Sequence, residues 1–160
     1  MPLPRSFSGH PAGRGIIAEH DIPIRGHDAP RAGRLRAKLL VFKTRRSMYA
    51  FSKQALGRNN FGALALAHEL SEDVIAIKGG KTEHFLRVDP VYFCVICLVR
   101  GFLTMEIITH EACHAGIYFS QRSRLRWPNQ DEAPSEGICY PTGRIAAAIN
   151  RCLHDRGLYE

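Results

Sequence analysis

The sequence predicts an α+β domain, a small mixed sheet with helices packed on it. Three observations lead there. LRAKLLVF (35–42) and VYFCVICLV (91–99) are short runs rich in β-branched, aromatic or aliphatic residues, as buried strands are. Other stretches are patterned for helices, and the element order is strand, helix, several strands and then two helices. A chain of 160 residues, 45% hydrophobic and 23% charged, suits one compact domain with a real core.

Residues 1–33 are rich in Pro, Gly, Arg and His with weak periodicity, which predicts a basic, extended N-terminal arm ahead of a folded domain over 34–160. LRAKLLVF then reads as a strand with Leu39–Phe42 as its buried half. Thr44 caps a helix that runs to about Leu56, with Met48, Phe51 and Ala55 on one face and Gly57 as its stop. In FGALALAHEL (61–70), alternation of Leu64, Leu66 and His68 with small residues favours a strand. DVIAIKGG (73–80) ends in a Gly-Gly turn, and HFLRV (84–88) reads as an edge strand. VYFCVICLV follows as a buried strand. Gly101 breaks it, and Leu103 to Phe119 reads as a helix with apolar positions round most of its circumference, hence buried. QRSRLRWPNQ (121–130) reads as a basic polar loop. A last helix, from about Pro134 to Arg156, carries the stripe Ile138, Ile145, Ile149 and Leu153; Pro141 must kink or interrupt it.

Charge and cysteines narrow the classes further. Residues 1–60 hold 12 Lys/Arg against 3 Asp/Glu, and residues 61–160 hold 10 against 12, so the net +7 is an N-terminal property. Such an excess attracts nucleic acid or an acidic protein, although few aromatics interleave with it before position 49 and a solvated tail is the simpler account. Cys94, Cys97, Cys113, Cys139 and Cys152 are odd in number and lie mostly in apolar contexts, as reduced core thiols do. The CxxC of Cys94 and Cys97 sits in a strand, where residues three apart face opposite ways, so a shared metal would need a tight turn there and core cysteines are the simpler reading. MPLPRSFSGHP has no apolar signal-peptide core, and the nine-residue run at 91–99 is about half a membrane span. The expectation is a soluble, cytoplasmic protein with no membrane partner.

The chemistry concentrates in HEACH, an H-E-x-x-H pattern of His110, Glu111 and His114. On a helix, residues four apart lie one turn above each other, so the two imidazoles can bind one Zn²⁺ from the same side. Glu111 lies about 100° round from His110, too far to be a ligand but able to act as base on a zinc-bound water. Zinc lowers the pKa of its water to about 7 and polarises a carbonyl. The pattern therefore predicts a zinc-dependent hydrolase. Its third ligand must come from elsewhere, since Ile117 and Ser120 stand where a metzincin would have Gly and His. Asp131, Glu132, Glu136 and His154 are the candidates. Glu136, in the first turn of the last helix, is the first choice if that helix folds back over the zinc edge, and Glu132 the second. Without metal, the same groups would face solvent or satisfy one another, with help from Glu106.

With HEACH, the strand before it and Glu136-Gly137-Ile138-Cys139 (140–145 YPTGRI and 153–159 LHDRGLY following), the chain resembles compact zincin-like HExxH metallopeptidases. It looks like the ImmA/IrrE-like peptidases and related small phage or plasmid proteins; SprT-like proteases, which usually use a third histidine, are a weaker match. By motif the resemblance covers roughly residues 91–156. It implies a minimal zincin-like metallopeptidase domain over 34–160, Zn²⁺ held by His110, His114 and Glu136, Glu111 as general base, and a protein or peptide substrate. Cys139 stands where an ExxA-type helix has Ala.

Tyr118 and Tyr140 are candidate donors to an oxyanion or substrate, and Arg122, Arg124 and Arg126 candidate grips for an acidic one. His68 and Glu69 repeat "HE" without a second histidine at the needed spacing and read as structural. The alternative to a hydrolase is a non-catalytic, zinc-stabilised binding protein that uses its basic N-terminal arm on nucleic acid or a host protein.

Overall fold

The structure is a computed structural model that describes residues 7, 11–24, 35–59, 61–70, 75–78, 81–84, 91–126 and 136–159. The fold is α+β. Strands β1 (Ile16–Ile24), β2 (Leu35–Phe42), β6 (Tyr92–Val99) and β3 (Ala65–Glu69) form a mixed sheet in the order β1-β2-β6-β3. Only the central β2–β6 pair is parallel. Strands β4 (Ile75–Lys78) and β5 (Lys81–His84) make a separate antiparallel pair. Helix α1 (Arg45–Ala55) covers one face of the sheet; α2 (Met105–Arg126) and α3 (Glu136–Asp155) cover the other.

The pleat of the two central strands sorts the side chains. In β2, Ala37, Leu39 and Val41 face α2 and α3, while Leu40 and Phe42 face α1. In β6, Cys94 and Ile96 join the first core, and Val95 and Cys97 the second. The two thiols thus stand on opposite faces as their spacing requires, both reduced and both pushed up in pKa chiefly by burial. With every residue of β6 buried, its unbroken apolar run is explained by cover on both sides.

Helix α1 forms as its caps dictate. The Thr44 hydroxyl accepts the Ser47 N–H at 3.1 Å, and Met48, Phe51 and Ala55 are buried. Helix α3 runs unbroken from Glu136 through Pro141. The proline lies early in the helix, so the only intrahelical bond it forgoes is to the Gly137 carbonyl.

Three expectations are revised. The N-terminal 1–33 segment is not an arm throughout: Pro11–Gly13 is a short 3₁₀ helix, and 16–24 is the nine-residue edge strand β1. Its weak periodicity follows from alternation of apolar Ala18, Ile22 and Ile24 with Glu19 and Asp21, acids that turn inward to a buried lysine. Phe7 is 1% exposed, and its N–H donates to Glu19 Oε1 at 2.9 Å. Strand β5 takes in Lys81–His84; of the edge strand expected at 84–88 only His84 is among the described residues, and the Gly-Gly turn at 79–80 lies outside them. The polar loop expected from 121 begins as helix, because α2 continues to Arg126. Lastly, α2 is not buried all round. Ile108, Ala112, Ala115 and Phe119 form a single buried stripe, and Glu106, Thr109, His110, Cys113 and His114 are exposed.

Candidate metal centre

Gly101, at φ 89, turns the chain out of β6, and Thr104 caps the next helix by accepting the Ile107 N–H at 3.3 Å. Helix α2 then lays its apolar stripe on the sheet. At Gly116 it meets α3: a Cβ there would overlap the Thr142 hydroxyl and stand 3.0 Å from the Ile138 carbonyl oxygen, so only glycine permits this approach. The Thr142 hydroxyl itself donates to the Ile138 carbonyl.

These two packings fix where HEACH points. Glu111 goes under the sheet edge and is 7% exposed. Its carboxylate accepts the backbone N–H of Ala67 on β3, the edge strand. Burial raises its pKa above the ordinary carboxylate value, against the lowering pull of His110, His114 and that N–H. The cost of placing ionisable groups on this helix therefore falls on Glu111 alone, because both histidines are exposed.

His110 and His114 stand one turn apart with their Nε2 atoms facing each other at 3.1 Å and their rings 4.8 Å apart at 74°. Tyr118, one turn further, stacks on His114 at 6.4 Å and 20°. Its hydroxyl is raised in pKa, mainly by burial, then by Glu69, Cys94 and Glu111. Four of the expected residues, His110, Glu111, His114 and Tyr118, thus line one side of α2 beside the end of β3.

Glu136 and Tyr140 do not join them. Positions 114 and 116 point 160° apart round a helix, and 110 and 116 point 120° apart. Helix α3 packs at Gly116, on the far side of α2 from the histidine pair. The expectation that the last helix closes over the zinc edge assumed the other side. Glu136 and Tyr140 are exposed on α3, and among the described residues no group of three His, Cys, Asp or Glu is arranged to hold a metal ion. Glu132 and Asp131 lie outside the described residues. His154, at the other end of α3, faces Asp155 at 3.6 Å.

The fit to zinc is therefore partial. Two ligands of one tetrahedral ion, each about 2.0–2.1 Å from it, stand roughly 3.3 Å apart; the Nε2 atoms match that spacing at 3.1 Å. The third ligand is not among the described residues as they stand.

Other neighbours of the site escaped the sequence. Leu70, at the end of β3, receives the Arg122 guanidinium on its carbonyl, so that arginine ties α2 to the sheet edge rather than facing a substrate. His68 shares the opposite face of β3 with Leu66, on the α1 side, where burial with the charge of Arg58 lowers its pKa. Glu69 approaches Tyr118 closely enough to raise that hydroxyl's pKa. Pairing of β3 beside α2 brings Glu69 and the Leu70 carbonyl to Tyr118 and Arg122.

No protein-family model, curated protein or solved structure matches the chain. The zincin-like resemblance rests on HEACH and the residues quoted with it.

Proposed function

We propose that the protein is a zinc-dependent hydrolase acting on a protein or peptide, with His110 and His114 as two of its metal ligands and Glu111 as the general base. The observation that carries this reading is the 3.1 Å approach of the two Nε2 atoms beside a buried carboxylate. A zinc ion there would supply an acidified water and a polarised carbonyl. The chain's own residues do the rest. The helix spacing orients both rings to one point, and burial raises the Glu111 pKa, which makes the carboxylate a better proton acceptor. The Ala67 N–H holds that carboxylate against the edge strand. Tyr118, stacked on His114, is placed to donate to a developing oxyanion. Because α3 packs on the far side of α2 from the histidine pair, Glu132 is favoured over Glu136 as the third ligand and is the first residue to test.

The experiment is elemental analysis of zinc-loaded protein together with hydrolysis of a fluorescently labelled unfolded protein. One zinc per chain is expected, retained in Glu111→Gln and lost in His114→Ala. Glu111→Gln should lower turnover by a factor of about 10² or more. Glu132→Gln should lose zinc where Glu136→Gln keeps it. Absence of zinc binding ends the proposal. Zinc bound with no hydrolysis, in wild type and Glu111→Gln alike, assigns the pair instead to the non-catalytic binding protein.

A further inference from the structure

A second surface lies on the opposite face of the sheet. The turn after α1 presents Phe61 with 87% of its surface exposed. Such exposure is costly, yet the turn is built to keep it. The Tyr49 hydroxyl is the hub: it donates to the Ala63 carbonyl at 2.9 Å and accepts the Gly62 N–H at 3.0 Å. Arg45 reaches the same hydroxyl at 2.7 Å and the Gly62 carbonyl at 3.2 Å. Asn59 Oδ1 accepts the Phe61 N–H at 3.4 Å, and Gly62 supplies a φ of 94°. The Phe61 ring is thereby held 5.7 Å from that of Tyr49.

The charge beside this platform has one sign. Between Leu35 and His68 the chain has seven Lys/Arg and no Asp/Glu. Arg46, Tyr49 and Lys53 fall at i, i+3 and i+7, on one stripe of α1 about 10 Å long. Arg46 and Lys53 are exposed, and neither takes part in an ion pair among the described residues. The Arg45 guanidinium lies over Tyr49 at 5.6 Å and Phe102 at 5.8 Å.

We infer that this face of α1 binds single-stranded nucleic acid, one unpaired base stacking on Phe61 while Arg46 and Lys53 contact the phosphates. Rigid, exposed aromatics beside unpaired cations are what a single strand requires, since bases are available for stacking only where they are unpaired. The surface lies across the sheet from His110 and His114, so the inference does not depend on the hydrolase reading. It moves nucleic-acid binding from the N-terminal segment to a folded surface.

Fluorescence anisotropy with a labelled dT12 strand tests it. Wild-type protein should bind with an affinity that falls with salt, and dT12 should compete better than a duplex of the same length. Phe61→Ala should weaken binding by about 5- to 150-fold, the measured range for one stacked base. Arg46→Glu/Lys53→Glu should flatten the log–log salt slope by about 1.4, at roughly 0.7 per phosphate contact. Arg31→Gln/Arg34→Gln, in the basic segment that precedes β2 in the sequence, should bind as wild type. Circular dichroism of each variant checks that it folds. Failure of wild-type protein to bind, equal affinity for dT12 and poly-glutamate, or loss of binding in Arg31→Gln/Arg34→Gln but not in Phe61→Ala, overturns the assignment.

Discussion

Two clusters of ionisable side chains sit against the same sheet, and they are finished differently. On the α1 face, Lys38 is 2% exposed, yet its ammonium meets Glu19 at 3.1 Å and Asp21 at 2.5 Å and lies 4.8 Å over the Tyr92 ring. Tyr92 donates to the second Asp21 oxygen at 2.7 Å, and the Phe7 N–H takes up a Glu19 oxygen. Charge and hydrogen bonds close within the protein. On the other face, Glu111 is buried with one backbone donor, while two imidazole nitrogens face each other in the open. A closed cluster holds a fold together. A cluster that leaves two lone-pair donors converging on one point has capacity left for something the chain does not contain.

The largest effect expected from this contrast is on stability. Lys38→Met preserves the length of the side chain but leaves Glu19 and Asp21 without their cation, and removal of one partner from a buried pair costs about 3–5 kcal/mol. Urea unfolding monitored by circular dichroism should show that loss. The double variant Lys38→Met/Asp21→Asn should recover part of it. A cost below 1 kcal/mol in the single variant would mean that the pair is solvated and the contrast is false.

Next is the effect of metal. Any ion that binds the folded state and not the unfolded one stabilises by RT ln(1 + [L]/Kd), about 2.7 kcal/mol at a hundredfold excess over Kd. Zinc should raise the thermal midpoint of wild type and of Glu111→Gln, and leave His114→Ala unmoved. If His114→Ala gains as much as wild type, the histidine pair is not the site.

Smaller still is the alkaline limb. Desolvation lowers the Lys38 pKa, but the hydrogen bonds and charges of Asp21 and Glu19 outweigh it, and the folded value stands above the unfolded 10.5. The folded state therefore holds its proton more tightly. This stabilisation is complete below the unfolded value and disappears as pH rises through the folded one. Stability from urea titrations above pH 10 should fall more steeply in wild type than in Lys38→Met.

How much of this was legible in the sequence follows the same divide. The strands at 35–42 and 91–99 and the helix capped by Thr44 could be read because local pattern and burial agree there. Edge strand β1 could not: Glu19 and Asp21 look like surface acids until Lys38, on the neighbouring strand, is seen to need them. HEACH was legible as a helical pair with a neighbouring carboxylate, since one turn of helix relates its members. The side of α2 on which α3 packs was not. It is decided by Gly116, a single missing Cβ opposite Thr142, and no periodicity of the last helix carries that information.

The smallest predicted effect decides most between a binding pair and a structural one. Without metal, the contact between His110 and His114 is one ring–ring hydrogen bond on an exposed helix face, where side-chain pairs contribute about 0.2–0.5 kcal/mol. His110→Ala should therefore change the stability of metal-free protein by no more than about 0.5 kcal/mol. If the two rings instead complete a network with Glu111 that the fold requires, the buried carboxylate is left under-compensated and the cost rises above about 1.5 kcal/mol. Urea unfolding of wild type and His110→Ala in the presence of a chelator separates the two. A small difference with chelator that becomes a large one with zinc is the behaviour of residues kept for a ligand, because only the ligand then gives them energetic weight.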